Sequence, residues 1–317
     1  MNCPFYLASK VFTAAAFVAI FGSSAFADCE ALIGKFNVAL ESRSISDAQS
    51  LESKIAVDAS CGGRLVEVQR RRAALELLLA QQMIDKQAPI SEFEALVVDA
   101  DKPDVLWRAA VGLGDIRFRQ RRFDEATRAY ERALETIKNP SKTPTSPSEQ
   151  NIRAVFNRAA ESRMLAANEE GGAGNSQFVS ASKDQRDGKI GGTMSPDIRG
   201  FKPTAIPIPI GFETASAKFT SIGAQAAKEL AEVLREQAPS EITLVGHTDE
   251  RGEAGYNMRL SGERVRAVAS YLQQNGINAK ITTIAKGKSE PLSLTDMSDL
   301  KQEDIWALNR RVVWKRN

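Results

Sequence analysis

One stretch of the sequence brings together side chains able to hold opposite charges. Asp249 lies just past an apolar segment, Ile242, Leu244 and Val245, that reads as a strand. Ligands in α/β layers gather where loops leave the carboxyl ends of strands. Asn257, Ser261 and Arg264 follow at i, i+4 and i+7, which on a helix makes one polar stripe beside the apolar stripe of Val265, Val268 and Leu272. A carboxylate facing a guanidinium across a crevice suits a zwitterionic ligand: Arg264 holds a carboxylate by two parallel bonds, and Asp249 accepts from an ammonium. The alternative is a structural salt bridge between Asp249 and Arg264 themselves, a common arrangement at helix starts. His247 is the only histidine. No nucleophile or metal partner accompanies it, so it reads as a packed or hydrogen-bonded residue, and neither a catalytic group, a metal nor a cofactor is expected.

The elements needed to position that pair alternate through residues 204–317. Ala205, Ile206, Ile208, Ile210 and Phe212 predict a first strand; Ile222, Ala226, Ala227, Leu230, Val233 and Leu234 a helix. A second strand precedes Asp249, a second helix carries Arg264, a third strand spans 281–285 and a last one spans 312–314. Such alternation predicts an α/β sandwich with helices on a mixed sheet. Pro207 and Pro209 each remove a ladder donor, which places the first strand at an edge or makes it irregular.

The run GHTDERGEAGYNMRLSGERVRAVASYL at 246–272, with FETASAKFT at 212–220, GKSEP at 287–291 and NRRVVW at 309–314, resembles the OmpA C-terminal domain shared with peptidoglycan-associated lipoproteins and flagellar stator proteins. The resemblance implies binding of the peptidoglycan stem peptide at its diamino acid, usually meso-diaminopimelate, whose free end carries an ammonium and a carboxylate. It implies ligand contacts from Asp249 and Arg264, with Asn257 and Leu260 lining the same pocket and the loop holding Phe212, Glu213 and Thr214 closing the other side through backbone groups. Glu213 stands where the family usually has Asp, and Ala215 where it has a polar residue or Gly. Arg310 and Arg311 help complete the domain and are weaker candidates for ligand contact. A stem with lysine would leave Arg264 desolvated without its partner, a loss of roughly 1–3 kcal/mol or more.

Upstream, residues 28–168 show helical periodicity and little strand signal. Leu65, Val68, Ala73, Leu75, Leu78 and Leu79 form an apolar face, with Arg70, Arg71 and Arg72 expected on the wet side. Breaks are expected at Pro89 with Ser91 and at Pro103 with Asp104. Residues 106–140 resemble a tetratricopeptide repeat in Leu113, Gly114, Phe123, Ala126, Tyr130, Ala133 and Leu134, with Gly114 and Ala126 at the close crossing. An ordinary helical hairpin is the alternative. Helices at 64–87 and 149–167 would supply the stacking that one repeat lacks. Residues 169–203, rich in Gly and polar residues, predict a flexible linker. The expected fold is thus α+β, an all-α tetratricopeptide-like domain tethered to an OmpA-like sandwich.

Lys10, the apolar run at 11–21 and Ala25-Phe26-Ala27 read as a signal peptide cut after Ala27. No later stretch has the roughly 20 apolar residues of a spanning helix, and Asp28 before Cys29 argues against lipidation. The expected location is therefore the periplasm of a Gram-negative cell, attached to the wall near the outer membrane. In that oxidising compartment Cys29 and Cys61 are expected to form a disulfide, two free buried thiols being the alternative. Lys10 is the only charged residue of the leader, so removing it from the 42 basic residues leaves 41 against 40 acidic ones. Near-neutrality argues against nucleic acid as a partner. A protein partner is expected for the helical region. A wall hydrolase targeted by its C-terminal domain is the competing class, although 28–168 lacks histidine.

Overall fold

Amphipathic helices punctuated by the expected breaks build the first of two units into which the chain divides, residues 1–109. The computed structural model describes residues 24–168, 178–293 and 299–316. The leader expected at 1–27 lies outside the residues whose side chains are described. In the first unit α1 (Ser24–Glu41), α2 (Ile45–Val57), α3 (Leu65–Asp85) and α4 (Ile90–Asp101) pack in succession. Cys29 and Cys61 form a disulfide with an S–S distance of 2.01 Å, set in a cluster with Ile33, Phe36, Ala48, Ile55 and Val68. Val68, Ala73 and Leu75 are buried as the periodicity predicts, but so is Arg72, at 6% exposure. This corrects its placement on the wet face. Arg72 pairs with Glu52 of α2 and lies 2.6 Å from Glu76 of its own helix. A buried charge is tolerated only when paired and hydrogen-bonded.

The second unit, residues 110–317, receives most of α5 (Trp107–Arg119), which forms a hairpin with α6 (Phe123–Lys138). Gly114 sits against Tyr130: a Cβ there would lie 2.6 Å from the ring. Tyr130 in turn donates a 2.6 Å bond to Asp115. Ala126, Ala133 and Leu134 are fully buried, because α7 (Glu149–Asn168) closes over α6. The other side of α7 meets the C-terminal sheet and its helices, so residues of every face, from Ile152 to Ala167, are buried.

The part of the expected linker that is described, 178–203, is packed, and this corrects its reading as a flexible tether. Composition predicts disorder when polar backbone has no partner but water; here buried carboxylates supply the partners. Glu131 accepts from the Ser182 amide at 3.1 Å and from the Thr193 hydroxyl at 2.6 Å. Glu135 accepts from the Gly192 amide at 2.6 Å, and Glu229 from the Ala181 amide at 2.8 Å. Met194 and Ile198 are fully buried. Arg163 of α7 pairs with Glu229, and Arg121 lies 2.8 Å from Asp304. Helices α6 and α7 therefore belong to the same unit as the C-terminal domain, and the chain divides after Ala109, not in the Gly-rich stretch.

The sheet has the order β1-β4-β2-β3, from β1 (Ala205–Ile208), β2 (Glu241–His247), β3 (Lys280–Gly287) and β4 (Val312–Lys315). Strands β2 and β3 run parallel and the other pairs antiparallel, the mixed sheet the sequence predicts. Strand β1 lies at an edge, where Pro207 removes a donor that the ladder does not need. Helix α8 (Ser221–Gln237), helix α9 (Ala254–Gln274) and a short α10 (Gln302–Asn309), which periodicity did not reveal, complete the domain. Gly246 lets α9 approach β2, since a Cβ there would lie 2.4 Å from the Ser261 carbonyl. The register of β2 on β3 shifts between Gly246 and His247, and His247 lines a cavity beside Phe156 and Met164 of α7. Among the described residues no helix is long and apolar enough to cross a membrane.

Candidate functional site

The polar stripe of α9 is buried, and its members anchor three different segments. Asn257, at 4% exposure, donates 2.7 Å to the Arg251 carbonyl and so fixes the loop that carries Asp249. The Ser261 hydroxyl accepts from the Gly287 amide at 2.9 Å, at the end of β3. Arg264 donates through Nε to the Ser216 carbonyl at 2.9 Å, and its guanidinium lies 5.0 Å from the centre of the Phe212 ring. The stripe thereby gathers the Asp249 loop, the β3 end and the 212–219 loop around one point.

Asp249 and Arg264 form no ion pair with each other. Asp249 Oδ1 accepts from the Arg251 amide at 3.1 Å and from Arg251 Nε at 3.2 Å; Oδ2 accepts from Arg251 Nη2 at 2.7 Å and from Arg310 Nη1 at 3.1 Å. Burial works against ionisation of this carboxyl, yet the hydrogen bonds from Arg251 and Arg310 prevail and hold its pKa below the ordinary value. The charge on Arg264 is disfavoured by burial and then by the neighbouring Arg310, and is only partly restored by Tyr256 and Asp249. Arg264 is 6% exposed. Among the described residues it makes no ion pair, and Nη1 and Nη2 remain available at the site.

Leu260 is buried on α9. Phe212, half-buried, also packs against Phe219 at 5.4 Å. Glu213 and Thr214 are exposed; the Glu213 carboxylate turns to Lys218 at 2.7 Å, while its amide and carbonyl tie the loop to Lys218 and Ser216. Two elements escaped sequence reasoning. The Ser216 carbonyl, which orients Arg264, leaves no trace in a residue type. Arg310, judged a weaker candidate, sits on Asp249; the paired arginines before the last strand were the available signal. Arg251 stacks on Trp306 at 4.3 Å, and Trp306 donates 3.0 Å to Glu250, so α10 forms the outer wall of the Asp249 loop.

Residues 211–303 match the sequence profile of the OmpA family. The peptidoglycan-associated lipoprotein of Pseudomonas aeruginosa is 40% identical over 76 residues, which cover 24% of this chain and 42% of that protein. The peptidoglycan-associated lipoprotein of Agrobacterium fabrum is 33% identical over 105 residues, covering 33% and 56%. The chain spans about half the length of these curated relatives. Among solved structures, the peptidoglycan-associated lipoprotein from Burkholderia pseudomallei aligns at 25% identity over 36% of this chain and 89% of that one, with a TM-score of 0.29. Residues 211–303, with the buried polar stripe of α9 at their centre, are thus a domain of the OmpA family.

Proposed function

We propose that this protein binds peptidoglycan non-covalently in the periplasm, gripping the free end of diaminopimelate in the stem peptide between Arg264 and Asp249. The observation that carries the reading is Arg264: a buried guanidinium with no carboxylate partner among the described residues, held by one carbonyl and one aromatic ring so that its Nη atoms remain for a ligand. A desolvated cation of this kind is stabilised by a carboxylate that arrives from outside. The ligand's ammonium goes to Asp249, and since each carboxylate oxygen already accepts two bonds, it must displace one of them. Arg251, with its side chain 55% exposed, is the group free to leave. Relatives named peptidoglycan-associated lipoproteins support the same ligand class.

The test is co-sedimentation with purified sacculi of the diaminopimelate type. The wild type is expected to pellet, and Asp249→Ala and Arg264→Ala are expected to stay in solution with unchanged circular dichroism. Pelleting of both variants would place the pocket elsewhere, and a cleared band in a peptidoglycan zymogram would replace binding by hydrolysis. The first unit is assigned to protein–protein contact, and a 28–109 fragment that sediments with sacculi by itself would overturn that assignment.

A further inference from the structure

The face of the sheet turned away from α9 carries a second constellation. Between α7 and β4 lies a cavity of about 240 Å³, large beside the roughly 30 Å³ that one water occupies in the liquid. Part of its wall is apolar, from Phe156, Met164 and Val313; the polar part includes His247 and Arg311. Arg311 is 6% exposed. Its Nη2 donates 3.1 Å to the Glu290 carbonyl and its Nη1 makes a long 3.4 Å bond to Asn309, while Nε has no partner among the described residues. Among the described residues no carboxylate pairs with it: that of Glu290 is taken by Lys286 at 2.6 Å. His247 is 4% exposed, and its Nδ1 is also without a partner among the described residues. Buried polar atoms in native proteins are nearly always satisfied, so two orphans in the wall of one cavity call for an occupant.

We propose that this cavity binds a small organic monocarboxylate with a short apolar body, its carboxylate held by Arg311 and His247 and its body against Phe156, Met164 and Val313. Burial lowers the Arg311 pKa, with Glu290 opposing, but only to about 10, so the guanidinium remains cationic at neutral pH and needs a counter-charge. His247 is brought down to about 4 by burial and then by Arg311, with the Glu290 carboxylate and backbone opposing, so it meets the ligand as a neutral imidazole, which donates to the carboxylate in the tautomer that carries its one N–H on Nδ1. Glu161 and Glu290 also line the cavity, and their negative charges disfavour a doubly charged ion such as phosphate. The site is independent of the Asp249 pocket, which lies at the loop end of β2 on the α9 side.

Because His247 is the only histidine, its imidazole nitrogens report on the cavity without ambiguity. In the purified full chain labelled with ¹⁵N-histidine, isovalerate up to about 10 mM, enough to saturate a site with a Kd near 1 mM, is expected to shift the Nδ1 resonance saturably. Inorganic phosphate at the same ionic strength is expected to leave it in place. Ala160 of α7 is buried in the cavity wall, so Ala160→Met fills the space while leaving Arg311 and His247 unsubstituted and is expected to weaken the response at least about tenfold while the protein still melts cooperatively. No saturable shift with isovalerate, an equal shift with phosphate, or an undiminished response in Ala160→Met would each overturn the proposal.

Discussion

Arg310 Nη1 stands 3.1 Å from Oδ2 of Asp249, so the carboxylate at the mouth of the α9 crevice is held from the β4 side as well as by its own loop. With Arg251 making the remaining bonds, an incoming ammonium competes with an exposed guanidinium that already occupies its place. Arg251→Ala is therefore expected to tighten binding to diaminopimelate sacculi several-fold, whereas Arg310→Ala weakens it by loosening Asp249. Equilibrium sedimentation at fixed salt distinguishes the two; weaker binding by Arg251→Ala would mean that Arg251 belongs to the ligand's contacts.

Glu131 is buried in α6 and accepts bonds from the 182–193 segment. Removing the carboxylate leaves those donors unmet, at about 1–3 kcal/mol each in a buried setting. Glu131→Ala is expected to lower stability to chemical denaturant by at least about 2 kcal/mol and to open 182–193 to limited proteolysis. Unchanged cleavage there would show that the segment holds its place by apolar contacts alone.

Much of this architecture was legible in the sequence, and the exceptions share a cause. Strands β2, β3 and β4, α8, α9 and the edge position of β1 followed from periodicity and from Pro207, which act over a few neighbouring residues; β1 itself stops at Ile208, short of the expected Ile210 and Phe212. Burial of Arg72 depended on Glu52 from another helix, the ordering of 178–203 on Glu131, Glu135 and Glu229 far away in sequence, and the place of Arg310 on a 61-residue return to Asp249. Charged and polar residues are assigned to solvent by composition; only tertiary pairing reverses that. The Asp249 and Arg264 positions were readable because strand end and helix face are local properties, but their separate partners were not.

The disulfide between Cys29 and Cys61 closes a loop with a sequence separation of 32 inside the α1 and α2 cluster. Loop-closure arguments give about 2–4 kcal/mol for such a link. Reductant, or Cys61→Ala, is expected to lower the melting temperature of the first unit's helices by several degrees. A melt identical with and without reductant would contradict this.

His247 titrates near 4 in the folded protein because burial, then Arg311, disfavours its charged form. The unfolded chain binds a proton near the ordinary 6.5, so the unfolded state holds more protons between those values. Stability associated with the neutral imidazole is complete above about pH 6.5 and is lost as pH falls to about 4, by on the order of 3 kcal/mol at most. His247→Gln is expected to flatten this part of the stability curve in urea titrations from pH 7 to 4. A slope equal to that of the wild type would assign it to other groups.

The central claim is that one buried guanidinium and one carboxylate recognise both charges of a single diamino-acid end. Calorimetric titration with two soluble muropeptides, identical except for meso-diaminopimelate or lysine at the third stem position, tests it most directly. Preference for the diaminopimelate form by about tenfold or more, abolished in Arg264→Ala, is the predicted result. Equal affinity for both stems would contradict the account.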